Sequence, residues 1–310
     1  MNTSVSEMPE TQKPKKIRKE KMITVMTRGA YDIQLLRMQT GGRLVSNFKA
    51  KLGQKSSGKE EDLDKEAKKV LDKLREHYIK LTDGIVKFPK DDKHFKGDEV
   101  ISDYTELCIM AQYIDLEKEE KKHFDRLEGA LQQFPIYTEY LSNIDGIGRA
   151  MAGVLISEID IHECKYPSSL WRWCGLDVAE DGKARSKRAE HLIDKEYIDK
   201  NGDKKVKKSI TFSPFIHDKI LGVLAGSLIR KGNEKYGKIY RDYKHRLEHR
   251  PDWKATTKGH RANAAQRYMV KIFMLDYYVA YRTLEGLEVF PPYHEAKLGI
   301  VHGQYKHQEE

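Results

Sequence analysis

Apolar side chains recur at steps of three and four residues over most of this chain, a spacing that gathers them on one face of a helix. From Leu63 the series runs through Ala67, Val70, Leu71, Leu74, Tyr78 and Leu81. A second opens at Ser102, read as an N-cap with Glu106 close behind. It continues through Leu107, Met110, Ile114, Phe124, Leu127, Leu131 and Phe134 as one long helix or two joined ones. Its middle, "DLEKEEKKHFDR", is charged nearly all round, as where a helix projects from a core or pairs in a coiled coil. Ile216, Ile220, Leu221, Leu224, Leu228 and Ile229 make another face that runs out at Gly232, and Tyr236, Ile239, Tyr240, Tyr243 and Leu247 a further one. A last helix is expected from Asn263 to Leu284.

Three stretches depart from this pattern. "EYIDKNGDKKVKKSITF" places two β-favouring ends around Asn201-Gly202 and predicts one basic hairpin. "MITVMTRGAYDIQ" reads as a short strand, and "GQKSSGKEED" as a flexible break. The expected fold is therefore mainly α. A basic arm without fixed structure (1–21) precedes a helical, coiled-coil or self-association region (22–140); an α domain with one basic β-hairpin (141–299) and a polar tail (300–310) follow.

Lys and Arg number 57 against 48 Asp and Glu, and the net charge of +9 favours a polyanionic partner, double-stranded DNA first. Cys108, Cys164 and Cys174 are odd in number and lack CxxC spacing, which argues against a disulfide framework or structural zinc and fits a reducing cytoplasm. No apolar run approaches the roughly 18 to 20 residues that span a bilayer, and the polar start has no signal-peptide core. No membrane association is expected.

Between two apolar stretches lies "LSNIDGIGRAMAGVLISEIDI", residues 141–161. Leu141 and Ile144 would anchor a first helix, and Ile147, Met151, Val154, Leu155 and Ile159 line a second. The glycines fall at the junction. Gly146 can take positive φ and Gly148 has no Cβ, so turn amides and the start of the second helix can approach an anion closely. Ile147 would plug the gap between the helices, and Arg149 adds a charge. This is the physics of a helix-hairpin-helix grip on a DNA phosphate. The same residues also suit a helix corner that needs glycine only for packing, and Asp145 works against an anion.

From there through "HECKYPSSLWRWCGL" the sequence resembles the start of the C-terminal transposase domain of the IS one-ten class of insertion-sequence transposases, related to the Piv/MooV DNA invertases. That family has a leucine and an I-P-G-I-G turn leading into an Ala-rich helix that ends in E-I-G-D, then a phenylalanine, small residues and G-L. Here Leu141, Ile144-Asp145-Gly146-Ile147-Gly148, Glu158-Ile159-Asp160, Tyr166, Ser168-Ser169 and Gly175-Leu176 stand in those places. The resemblance implies a DNA-binding protein of transposition or site-specific recombination. It extends over roughly half of the chain, to about Gly299, with the helices at 60–140 in the position of the family's coiled coil. The family's N-terminal RuvC-like domain carries four acidic metal ligands; residues 1–130 show no strand–helix alternation and offer a single aspartate, Asp32, in the right context. No cofactor is identified, and divalent metal is not supported. A separate nuclease subunit or structured RNA is the partner such a chain would need, alongside self-association into a homo-oligomer.

The resemblance also implies a serine nucleophile in a Ser-Gly pair soon after the G-L. This chain has Asp181-Gly182 there, and the nearest serine is Ser186, among Lys183, Arg185, Lys187 and Arg188. Positive charge beside Ser186 suits attack on a phosphodiester, although no general base is evident; a phosphate contact or a solvated residue is the plainer reading. Further basic residues are Lys204, Lys205, Lys207, Lys208, Arg230 and Lys231. Arg267 and Lys271 share one face of the last helix, with Lys258, His260 and Arg261 ahead of it, a basic stripe suited to duplex phosphates or to plain solvation. Tyr236, Tyr240, Tyr243, Trp253, Tyr268, Tyr277, Tyr278 and Tyr281 are read as core packing before base stacking. "HRLEH", His245 to His249, formally matches a zinc-peptidase pattern with Glu248 as base, but no third ligand is assignable. The alternatives to a recombinase are a non-catalytic DNA-binding accessory and, more remotely, that peptidase.

Overall fold

The computed structural model describes residues 19–54, 64–83, 95 and 100–292. Residues 1–18 of the expected arm, 55–62 of the expected break and the tail at 300–310 lie outside them, while 19–21, expected in the arm, already belong to a helix. The described residues are mainly helical, with nine α-helices and one two-stranded antiparallel sheet. They divide into two units, one within 25–127 and a second that joins 19–24 to 128–292.

In the first unit, the greater part of α1 (Lys19–Lys51), α2 (Lys65–Thr82) and the greater part of α3 (Tyr104–Leu131) contribute Leu44 and Val45, Leu71 and Leu74, and Leu107 and Met110 to one apolar core. The strand expected at "MITVMTRGAYDIQ" is wrong: it lies within α1, because Ile23, Thr27 and Ala30 are buried at four- and three-residue steps. That helical stripe outweighs the β-preference of Ile23, Thr24 and Val25. Helix α2 starts where the Asp64 carboxylate accepts the Ala67 N–H at 2.7 Å. Helix α3 starts one residue later than expected. The Asp103 carboxylate accepts the Glu106 N–H at 2.9 Å, and Glu106 reaches back to the Ser102 N–H at 2.8 Å.

The charge around α3 is largely used inside the unit. Arg75 forks onto Glu117 at 2.7 and 2.9 Å, and Arg37 pairs with Glu120. Glu106 is held by Asn47 at 2.8 Å and Lys51 at 2.6 Å.

The second unit is organised on α9 (Lys258–Leu284), whose Met269, Phe273, Tyr277 and Tyr278 are fully buried. It starts five residues before the expected Asn263, with the Thr257 hydroxyl accepting the His260 N–H at 3.1 Å. Around it lie α4 (Arg149–Glu158), α5 (Pro167–Trp173), α6 (Pro214–Lys219), α7 (Ala225–Arg230) and α8 (Glu234–His249). A π turn at Ile220–Leu224 joins α6 to α7, so the single face expected from Ile216 to Ile229 has a widened turn at its middle. The buried Arg282 guanidinium donates to the carbonyls of Ile161 at 3.1 Å, Cys164 at 3.0 Å and Glu288 at 2.6 Å. Tyr236, Tyr277, Tyr278 and Tyr281 pack in the core, and Tyr243 stacks on Tyr268 at 4.1 Å.

The hairpin pairs β1 (Ile193–Ile198) with β2 (Lys204–Ser209), setting Lys195 opposite Lys207 and Tyr197 opposite Lys205. Its turn is longer than a two-residue Asn201-Gly202 loop. The Asp199 carboxylate accepts the Asn201 and Asp203 N–H groups at 2.8 and 3.0 Å, and Gly202 takes φ +90°. Nearly the whole ribbon is exposed on both faces. Among the described residues no helix is long and apolar enough to cross a membrane.

Candidate functional site

The Gly-Ile-Gly turn is preceded by a π turn (Ile136–Tyr140) and a single 3-10 turn (Leu141–Asn143), in place of the regular helix expected to end at Ile144. Its two glycines do different work. Gly146 sits at φ +100°, and a Cβ there would stand 3.1 Å from Leu228 Cα and 3.2 Å from Leu228 N. Backbone thus meets backbone against α7. The Ser227 hydroxyl donates to the Gly146 carbonyl at 2.7 Å and the Asn233 amide to that of Asp145 at 3.1 Å. Gly146 is glycine for packing.

Gly148 has φ −99° and ψ 174°, a conformation open to any residue, and nothing lies within 4 Å of an added Cβ. It is the N-cap of α4, with no side chain capping the first turn. The leading N–H groups of a helix have no intrahelical acceptor, and they carry the positive end of its dipole. Ile147 is half-buried, its N–H held by the Ile144 carbonyl at 3.0 Å. Arg149 pairs with Glu128 at 2.9 Å, which partly neutralises the charge expected beside the turn.

Further along, just past the end of α5, Gly175 takes φ +66°, and a Cβ there would meet His217 and Phe212 at 2.8 Å. The segment that follows folds back on itself. Ala179 N–H donates to Lys183 O at 2.8 Å, Gly182 turns at φ +76°, and Arg185 clasps Asp177 at 2.8 and 3.1 Å. Arg267 of α9 donates to the carbonyls of Gly175 and Asp177, the latter at 3.2 Å, and so pins the base of this loop.

On that loop stand three groups in series. Ser186 Oγ is 2.9 Å from His191 Nδ1, and His191 Nε2 is 3.3 Å from Asp181 Oδ2. His191 is 3% exposed while Ser186 is half-exposed, so the imidazole is shielded and the hydroxyl is reachable. Asp181 lies below the usual carboxylate range because it accepts the Lys183 N–H, with the His191 ring and the Lys183 charge adding to the effect. No sequence signal pointed to His191. Hydroxyl, imidazole and carboxylate have no fixed spacing, and only the folded loop brings the three together.

The predicted basic residues divide by burial. Lys183, Lys187, Arg188 and Lys258 are exposed. Arg185, Arg261, Arg267 and Lys271 point into the structure. Arg261 donates to the Trp253 carbonyl at 3.3 Å and to Thr256. Lys271 Nζ lies 4.3 Å over the Trp171 ring, and burial lowers its pKa. The stripe expected on α9 is therefore half internal, because α9 is the central helix and Arg261, Arg267 and Lys271 lie on its packed side while Lys258 and His260 are exposed. His245 and His249 do share a face, their ring centroids 4.2 Å apart, but His249 Nδ1 bonds the His245 carbonyl at 2.8 Å. Among the described residues no group of three metal-ligating side chains forms there or elsewhere.

Residues 138–213 match the Transposase IS116/IS110/IS902 family. The match covers the turn, α4, α5, the Ser186 loop and the hairpin. No curated protein and no solved structure matches the chain.

Proposed function

Taking residues 138–213 as an IS116/IS110/IS902-type transposase domain, we propose that the chain binds duplex DNA, gripping one backbone phosphate at Gly148 and the first turn of α4. The openness of Gly148 carries this reading. Among the described residues, nothing in the packing or backbone geometry calls for glycine there. A bare Cα beside the leading amides of a helix is what close approach of an external anion requires. Ile144, Gly146 and Ile147 hold the turn in place, and Arg149, tethered to Glu128, borders it. Lys183, Lys187 and Arg188 on the loop, Lys258 at the start of α9 and the lysines of the ribbon supply phosphate contacts without sequence readout. Arg185, Arg261, Arg267 and Lys271 act as supports for those surfaces.

The test is a salt-dependent mobility shift of duplex DNA with the native chain and Gly148→Trp. The indole enters open space, so the variant should fold and bind at least tenfold more weakly. No shift by the native protein, or an undiminished shift by the variant, refutes the grip.

A further inference from the structure

We propose that Arg267 and Lys271, besides supporting the loop after α5, form an anion site, separate from the α4 turn, that takes a phosphate monoester. The two cations stand four residues apart on α9, so they share one side of the helix with Cβ atoms about 5–6 Å from each other. Both are half-buried. Arg267 reaches the segment just after α5, where its Nη2 donates to the carbonyls of Gly175 and Asp177. No carboxylate among the described residues pairs with it, and its Nε and Nη1 are left for a further acceptor.

Lys271 is the more telling of the two. Its Nζ lies 4.3 Å over the ring of Trp171, a buried side chain whose indole N–H donates to the Lys271 carbonyl at 3.1 Å. That bond fixes the ring beneath the amine. An ammonium can donate three hydrogen bonds, yet among the described residues Nζ meets no oxygen that receives one. Burial lowers its pKa, the Arg267 charge adds to the fall, and Asp177 opposes it. Asp177 nevertheless does not close on the amine: Oδ2 is clasped by Arg185 at 2.8 and 3.1 Å, and Oδ1 is buried without a partner. Three cations, Arg185, Arg267 and Lys271, thus face one carboxylate, which leaves two positive charges uncompensated. A phosphate monoester carries close to two negative charges at neutral pH and supplies the missing acceptors. The guanidinium offers it a planar fork and the ammonium a point charge, on an indole wall that keeps water from one side. Keeping a half-buried cation without an acceptor costs stability, so packing alone would favour an apolar side chain at this position.

The site does not rest on the DNA-binding reading, and inorganic phosphate tests it on the full chain. At constant ionic strength in a buffer otherwise free of phosphate and sulfate, about 20 mM phosphate should raise the melting temperature by about 3 °C or more. Lys271→Met keeps the apolar stem over Trp171 and removes the charge. Without phosphate it should melt at or above the native temperature, and it should lose most of the phosphate response; Lys271→Gln serves as the second uncharged variant. Lys258→Met, at the exposed start of α9, should respond as the native protein does. No response in the native protein, an undiminished response in the folded Lys271 variants, or an equal loss in Lys258→Met overturns the site. Duplex DNA with phosphorylated or hydroxyl strand ends then identifies the source of the phosphate. A preference of about threefold or more for phosphorylated ends that vanishes in Lys271→Met assigns the site to a strand end, and equal binding assigns it to a small phosphate compound. A protein that shifts no DNA but keeps the Lys271-dependent response would fault the DNA reading alone.

Discussion

Gly146 and Gly148 stand two residues apart, one pressed against the Leu228 backbone and the other facing open space. Their substitutions should separate stability from binding. Gly146→Ala places a Cβ at φ +100° against a helix backbone that cannot yield, and should cost about 2 kcal/mol in denaturant unfolding. Gly148→Ala should change stability by less than about 0.5 kcal/mol. Equal losses at both positions would show that the second glycine also serves packing.

Arg267 is expected to act through the loop it holds. Arg267→Met removes the donors that meet the Gly175 and Asp177 carbonyls. Loss of these charge-assisted bonds should destabilise the fold by about 2 kcal/mol. Lys258→Met at the exposed start of α9 should leave the melting temperature unchanged.

The ribbon should bind with one face. Alternate residues share a face, so Lys195, Tyr197, Lys205 and Lys207 lie together, with Lys207 Nζ 5.0 Å from the Tyr197 ring. Lys208 on the other face is met by Asp194 at 2.9 Å. Replacing Lys195 and Lys207 by Ala should reduce the slope of log K against log salt by about 1.8, while Lys208→Ala should alter it by less than ~0.5. Both variants should keep the native circular dichroism, since these side chains are exposed.

The first unit should be sensitive to acid through Glu106. Burial opposes ionisation of this carboxylate, but bonds from Lys51, the Ser102 N–H and Asn47 more than offset it and hold its pKa below the usual range. A group whose folded pKa is depressed contributes stability that is fully present above its unfolded value, near 4.5. That contribution is lost as pH falls through the folded value. Glu106→Gln should cost about 1–3 kcal/mol at neutral pH and flatten the decline below pH ~4.5. An unchanged acid limb would show that other carboxylates govern it.

Much of the architecture is legible in short-range pattern. The runs from Ala67, Leu107, Ile216 and Tyr236 each became the buried face of a helix, since a 3.6-residue period needs no knowledge of the partner surface. The Pro167 start and Gly175 stop of α5 are equally local. The misreading of "MITVMTRGAYDIQ" has a local cause too: β-branched residues raised the strand preference, while the stripe that settles the matter, Ile23, Thr27 and Ala30, includes a threonine and an alanine that hydropathy alone does not flag.

By itself, then, the sequence determined a mainly helical protein with one basic hairpin, a glycine turn and a serine among cations. Tertiary structure alone decided the roles within those features. It showed which glycine is packed and which is open, because that depends on where α7 lies, 80 residues away in the chain. It turned Arg267 and Lys271 inward, because α9 became the central helix with polar carbonyls to satisfy. It also brought His191 and Asp181 to Ser186, because the loop closes through long-range bonds from α9 that no local spacing encodes.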